Sequence, residues 1–243
     1  MLLSAENVSK SFGSFKAVAG AGLQVAQGEI VGLIGPNGAG KSTFFNCIAG
    51  DFAPSGGRIA FDGNDVTDAP AETHARLGIG RTFQIPATFE DMTILENVMV
   101  GAFLRCARRG EARDRALEVI EMTGLKELAD QRARSLGTPG RKRLEIARVM
   151  ATSPRLLLLD EALAGLTPTE VQRAIELVRA IHQSGVTIVI VEHIMEVILN
   201  LAQRVIVFNQ GRIIAQGKPQ DVINDEAVIE AYLGRGHGRK AKQ

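Results

Sequence analysis

The stretch Gly35-Pro36-Asn37-Gly38-Ala39-Gly40-Lys41-Ser42-Thr43 matches GxxxxGK[ST] at every fixed position. At average residue usage a chance match in a chain of this length is on the order of one in a hundred, so the match has to be read with its flanks. Residues 29–34 before it read as a strand and 42–49 after it as a helix, which is the setting such a loop needs. The glycines let the backbone wrap closely round an anion, so that successive N–H groups and the helix N-terminus point at phosphates. Lys41 is placed to hold the β- and γ-phosphates, the Ser42 hydroxyl to ligate Mg²⁺, and Thr43 to reach the α-phosphate.

Outward from this loop, the first eighty residues carry short β-patterned runs at 3–8, 23–25, 29–34 and 58–61, separated by Gly and Asn-Gly or Asp-Gly turns. From 71 to 151 the pattern becomes helical, with apolar residues at three-to-four spacing in 93–102, 112–122 and 141–151. A buried strand, Leu156-Leu157-Leu158-Leu159-Asp160, follows. A helix with Val171, Ala174, Ile175, Val178 and Ile181 on one face comes next, and then the strand 186–191. Strand, helix, strand in that order implies a right-handed parallel crossover. Asp160 and Glu161 close the second buried strand, where an α/β sheet places its chemistry. Asp160 is expected to act on Mg²⁺, directly or through a water, and Glu161 to orient and polarise an attacking water. A pair of acidic residues capping the next helix is the plainer alternative.

The chain has 243 residues, 45% of them hydrophobic, with 28 Lys+Arg against 27 Asp+Glu, the balance of a folded domain with room for a sizeable core. A net charge of +1 gives no general attraction to nucleic acid, and none is expected as a partner. Apolar runs such as Val186-Thr187-Ile188-Val189-Ile190-Val191 fall far short of the roughly 18 to 20 residues that span a bilayer. The first residues lack the basic flank and long apolar run of a secretory signal, so a cytoplasmic chain is expected. Cys47 and Cys106 lack CxxC spacing and read as small fillers in helical patterns. The Gly-rich, basic run 235–243 reads as a solvated tail.

The order of motifs resembles the ATP-binding subunits of ABC transporters over nearly the whole chain. It runs from the phosphate loop through Gln84 after Arg81-Thr82-Phe83, past Arg143-Leu144-Glu145-Ile146-Ala147-Arg148, to Asp160-Glu161, Ala164-Gly165-Leu166 and His193. Gly78-Ile79-Gly80-Arg81-Thr82-Phe83-Gln84, Thr93-Ile94-Leu95-Glu96-Asn97-Val98 and Val191-Glu192-His193 look like the branched-chain amino acid uptake ATPases. The resemblance implies an α/β fold: a P-loop ATPase core (1–84 and 155–234) with an antiparallel β lobe, and an inserted helical subdomain (85–154) bearing a signature loop. It implies ATP and Mg²⁺ as ligands, Gln84 as the residue touching Mg²⁺ or the water and linking the site to a membrane subunit, and His193 as the γ-phosphate switch. Phe12 takes the place of the adenine-stacking aromatic, with Phe15 as its rival and Val18 on the other side of the base. The implied partners are transmembrane permease subunits, a second ATPase subunit of the same or a homologous kind and, indirectly, a substrate-binding protein. The implied location is the inner face of the cell membrane. A soluble non-transport ATPase of the superfamily and a slow ATP-binding module are the alternatives.

The signature loop departs from the family's approximate LSGGQ. Leu136-Gly137-Thr138-Pro139-Gly140 puts a glycine where the serine hydroxyl is usual and a proline where a backbone N–H is donated, although a one-residue shift brings Thr138 into the serine role. Arg141-Lys142-Arg143 then places three cations in a first helical turn, where the helix dipole favours anions. Something negative is expected near them, and contacts to an opposing nucleotide are one reading. Ala162 and Ile194 replace a proline and an acidic residue common in the family. The first is expected to matter little, and the second bears on how His193 is held. The apolar run Ile85, Pro86, Phe89 and Met92 is the expected contact for a membrane partner.

Overall fold

The computed structural model describes residues 1–233, so the basic run 235–243 lies outside the described residues. The elements of the first half are β1 (Leu3–Phe12), β2 (Phe15–Val25), β3 (Ile30–Ile34), α1 (Lys41–Ala49), β4 (Gly56–Phe61), β5 (Asn64–Asp65), α2 (Ala71–Leu77), β6 (Ile79–Arg81), α3 (Ile94–Ala102) and α4 (Arg109–Met122). They continue as α5 (Thr138–Ala151), β7 (Leu156–Asp160), α6 (Pro168–Gln183), β8 (Thr187–Val191), α7 (Met195–Leu201), β9 (Arg204–Asn209), β10 (Arg212–Gly217), α8 (Pro219–Val222) and α9 (Glu226–Leu233). Contacts divide the chain into two units, Met1–His74 with the chain from Thr187 onward, and Ala75–Val186. Relative to the boundaries expected near 84 and 155, this division groups β6, β7 and α6 with the helices.

In the first unit β1 and β2 form an antiparallel hairpin from Leu3↔Val25 to Phe12↔Phe15, and the sheet order is β2-β1-β4-β5. β3 lies parallel between β8 and β9, and β10 returns antiparallel to β9. Every residue of β3 and β8 is buried, as expected of β-branched runs covered on both faces. Phe44 of α1 and Phe208 of β9 are fully buried with ring centroids 5.1 Å apart, which seats α1 on the sheet.

In the second unit β6 and β7 pair in parallel, Ile79↔Leu156 to Arg81↔Leu158, while α3 packs against α4 and α5. Thr93 starts α3 through a reciprocal capping box with Glu96. The strands at 3–8 and 23–25 extend to Phe12 and back to Phe15, because half-exposed polar positions continue the ladder. α5 begins at Thr138, earlier than the periodicity suggests, since Gly137 caps it and a proline fits a first turn. Cys47 is buried in α1 as expected. Cys106, expected in a helix, lies in the connection between α3 and α4, because α3 ends at Ala102.

Gly101 shows how tightly α3 meets α5: a Cβ there would fall on the carbonyl oxygen of Arg148. Alanine is a better helix former than glycine by up to about 1 kcal/mol. The clash outweighs this, so Gly101→Ala should lower the midpoint of urea unfolding. Gly110→Ala in α4, where a Cβ meets nothing within 4 Å, should leave the midpoint level or raise it.

Candidate active site

In the first unit β3 delivers the chain into the phosphate loop, and α1 starts at Lys41 with Gly40 as its cap. Gly35, Gly38 and Gly40 take φ values of 147°, 76° and 101°, conformations that glycine adopts without the strain a side chain would bring and that a phosphate-cradling loop needs. A Cβ on Gly35 would strike the carbonyl of Phe208, and one on Gly40 the carbonyl of Ala17, so the loop lies directly against β9 and β2. Ala39 O accepts from Gly211 N at 2.8 Å, and Gly211 O from Ala19 N at 2.8 Å, fixing the loop to the β9–β10 turn. No side chain caps α1 and no acidic residue occupies its first turn, leaving its N-terminus suited to an anion.

Lys41 is largely buried, and its ammonium donates to Gly35 O at 2.7 Å and Pro36 O at 3.0 Å, so the cation is held over the loop. Ser42 and Asn37 are exposed, and Thr43 is half-buried. These groups fit a polyphosphate. Among the described residues no group of three or more His, Cys, Asp and Glu side chains converges to hold a metal alone. A Mg²⁺ ion carried on phosphates needs only a hydroxyl and a carboxylate from the protein.

Phe12 is 47% exposed, packs edge-on against Phe52 at 5.6 Å, and lies 5.4 Å from the Lys10 ammonium. Phe15, across the hairpin, is 64% exposed. Val18, expected against the other face of a base, is fully buried, because the alternation of β2 turns it into the lobe's core. Its side chain has no surface to offer a ligand. His193 is exposed, two residues beyond the end of β8, and Ile194 caps α7 without a side-chain hydrogen bond.

In the second unit β7 ends at Asp160, which is buried, accepts an ion pair from Arg81 at 3.6 Å, and donates its backbone N–H to Thr82 Oγ1 at 3.2 Å. Glu161 leaves the strand at φ 47°, a left-handed conformation uncommon for a side-chain-bearing residue. Its carboxylate oxygen Oε2 accepts from Gln84 Nε2 at 2.8 Å, so the two residues read as acting on water stand together. Its carbonyl accepts from Ala164 N at 3.2 Å and Lys142 Nζ at 3.2 Å.

The segment following β6 is held by two buried side chains. Asn97, fully buried on α3, accepts from Phe89 N and donates to Phe89 O and Thr93 O, each at 2.9 Å. Glu145 on α5 accepts from Phe83 N at 3.1 Å. Burial pushes the Glu145 carboxyl above its usual range, opposed by the backbone N–H groups of Phe83 and Ala87 and the nearby Arg148 and Lys142. Outward from this anchored backbone, Ile85 is 82% and Phe89 46% exposed, with the Arg148 guanidinium 5.1 Å from the Phe89 ring centre.

Arg141 and Lys142, two of the three cations after the signature loop, find partners within the chain. Arg141 pairs with Glu90 at 2.8 Å and donates to Leu136 O, while Lys142 is buried on Glu161. Arg81, Asn97, Lys142 and Glu145 are the supporting residues that motif reading passes over. Because α5 starts at Thr138, the cations expected in its first turn begin only at its fourth residue, and that cationic run is the one hint in sequence of Lys142.

Residues 18–164 match the family model described as ABC transporter, and residues 212–238 match that of the branched-chain amino acid ATP-binding cassette transporter. The chain is 39% identical over 251 residues to the high-affinity branched-chain amino acid transport ATP-binding protein LivG of Salmonella typhimurium, covering 96% of this chain and 98% of LivG. It is 36% identical to the lipopolysaccharide export system ATP-binding protein LptB of Haemophilus influenzae, covering 96% and 97%. The ADP conformation of MJ1267, an ATP-binding cassette of an ABC transporter, superposes with a TM-score of 0.87 at 32% identity, over 96% of this chain and 98% of that one. The chain belongs to the ABC transporter family as one of its ATP-hydrolysing subunits.

Proposed function

We propose that this subunit powers uptake of branched-chain or related amino acids, closing as a dimer round two ATP molecules and passing the motion to transmembrane permease subunits supplied by a substrate-binding protein. The observation that carries the solute class is the match of residues 212–238 to the branched-chain family model, a segment outside the general ATPase match. Export, as the name of LptB states for that relative, is the competing direction. No helix among the described residues is long and apolar enough to cross a membrane, so a membrane task needs spanning partners. The proposed location is the inner face of the cell membrane.

In this reading residues 1–84 and 155–234 act as the nucleotide-binding core and 85–154 as the helical subdomain. The backbone of 35–40 and Lys41 bind the phosphates, Thr43 reaches the α-phosphate, and Phe12, with Phe15 as its rival, stacks on adenine. Mg²⁺, when bound, would neutralise charge on the phosphates, and we read Ser42, Asp160 and Gln84 as the residues that would hold it. Glu161 orients and polarises the water, Gln84 steadies that carboxylate, and His193 contacts the γ-phosphate. Thr138 is exposed as the first residue of α5, which has neither a side-chain cap nor an acid in its first turn. Its hydroxyl is the group that takes the missing serine's role toward a second subunit's ATP. The exposed side chains of Ile85 and Phe89 form the permease contact.

Mg²⁺-ATP hydrolysis by the purified chain should rise faster than linearly with protein concentration. Glu161→Gln should retain nucleotide binding while losing turnover about a hundredfold or more, and Lys41→Ala should lose binding as well. Near-normal turnover in Glu161→Gln removes Glu161 from this role. Phe89→Asp should weaken co-purification with the permease while leaving the chain folded, and unchanged recovery of the complex would place the contact elsewhere.

A further inference from the structure

Glu161 is held at two points by different elements. Its carboxylate receives Gln84, while its carbonyl receives the ammonium of Lys142, 3.2 Å away on the second turn of α5. Lys142 is only 7% exposed, so its charge sits in a buried place. A buried ammonium is costly unless hydrogen-bonded, and its contact with a backbone carbonyl is correspondingly hard to give up. The carbonyl it grips belongs to the residue with φ 47° that turns the chain from β7 toward Ala164-Gly165-Leu166. A left-handed conformation at a glutamate persists where its surroundings over-determine it. Here the surroundings are Lys142 Nζ and Ala164 N on the same oxygen. Three residues further along α5, Glu145 binds Phe83 N, directly before Gln84. One helix thus anchors both the backbone that carries the carboxylate and the backbone that carries its amide partner.

We infer that Lys142 is a positioning residue for Glu161, fixing its left-handed backbone so that the carboxylate faces Gln84, and that α5 thereby ties the signature loop of a subunit to the water-activating pair of that same subunit. Movement of residues 136–140 displaces α5 and is transmitted to Glu161 through this ammonium–carbonyl contact. Lys142 touches neither nucleotide nor water in this role, and its effect belongs to kcat. The inference rests on the reading of Glu161 as the residue that acts on water.

Steady-state Mg²⁺-ATP hydrolysis by the full chain, with fluorescent-nucleotide binding, thermal melting and hydrogen exchange of the peptide over 161–166, tests it. Lys142→Met should lower kcat about tenfold with KM and nucleotide affinity within about twofold of the parent. Exchange at 161–166 should quicken, and Lys142→Arg, which still reaches the carbonyl with a cation, should recover most of kcat. Should Lys142→Met fail to fold, Lys142→Gln, whose amide is too short to span the contact, is read in the same way. Parent-like kcat in these variants overturns the inference. So does a parallel fall of kcat, nucleotide affinity and melting temperature that Lys142→Arg does not recover, because that pattern marks a general packing role. Glu161→Gln separates the two levels. If its turnover is normal the reading of Glu161 fails, whereas if it is inactive and Lys142→Met is normal only the role of Lys142 fails.

Discussion

A polyphosphate gripped through backbone N–H groups requires a chain with no Cβ between the amides and the anion, and much of the first unit follows from that requirement. Gly35 and Gly40 are pressed against the carbonyls of Phe208 and Ala17, so β9 and β2 must present bare backbone there. The Gly211 turn closes the arrangement by bonding to both Ala39 and Ala19. Phe44 and Phe208 form the apolar footing that holds α1, and with it Lys41, at the end of β3. The course of the loop is therefore fixed from below by packing.

The second unit solves a different problem by different means. Its candidate residues Gln84 and Glu161 lie on irregular segments, and irregular backbone keeps a fixed course only where its polar groups are satisfied. Asn97 and Glu145 supply those partners to the segment after β6, and Thr82 and Arg81 do so for Asp160. Lys142 does it for Glu161. Each of these anchors is buried or nearly so, where an unmade hydrogen bond costs about 1 to 3 kcal/mol.

α5 ties these anchors together. Thr138 sits at its start, Lys142 and Glu145 reach the Glu161 and Phe83 backbones, and Arg148 lies over Phe89 on the exposed apolar segment. Its close approach to α3 at Gly101 leaves little freedom for the two helices to slide. One helix thus carries the end of the signature loop and reaches the backbones of Glu161 and Phe83 and the segment proposed to meet the permease.

The phosphate loop, the strand that ends at Asp160 and the helices of the second unit were legible in the sequence, since each rests on local spacing: a glycine pattern, an apolar run, a three-to-four period. Local spacing misjudged what depends on neighbours. The hairpin of β1 and β2 runs on through polar residues because each strand supplies the other's hydrogen bonds, and Cys106 falls outside any helix; Val18, offered to a base by the family resemblance, turns inward. Arg141, Lys142 and Arg143 announced in sequence only that negative groups should be near. Tertiary structure decided which: Glu90 for Arg141 and the carbonyl of Glu161 for Lys142. By itself the sequence determined the chemistry of this protein, because phosphate binding and water activation need particular residues at particular spacings. Only the fold decided which side chains hold those residues in place, because any of several buried polar groups can satisfy a carbonyl or an amide, and the one that does is whichever packing brings within reach.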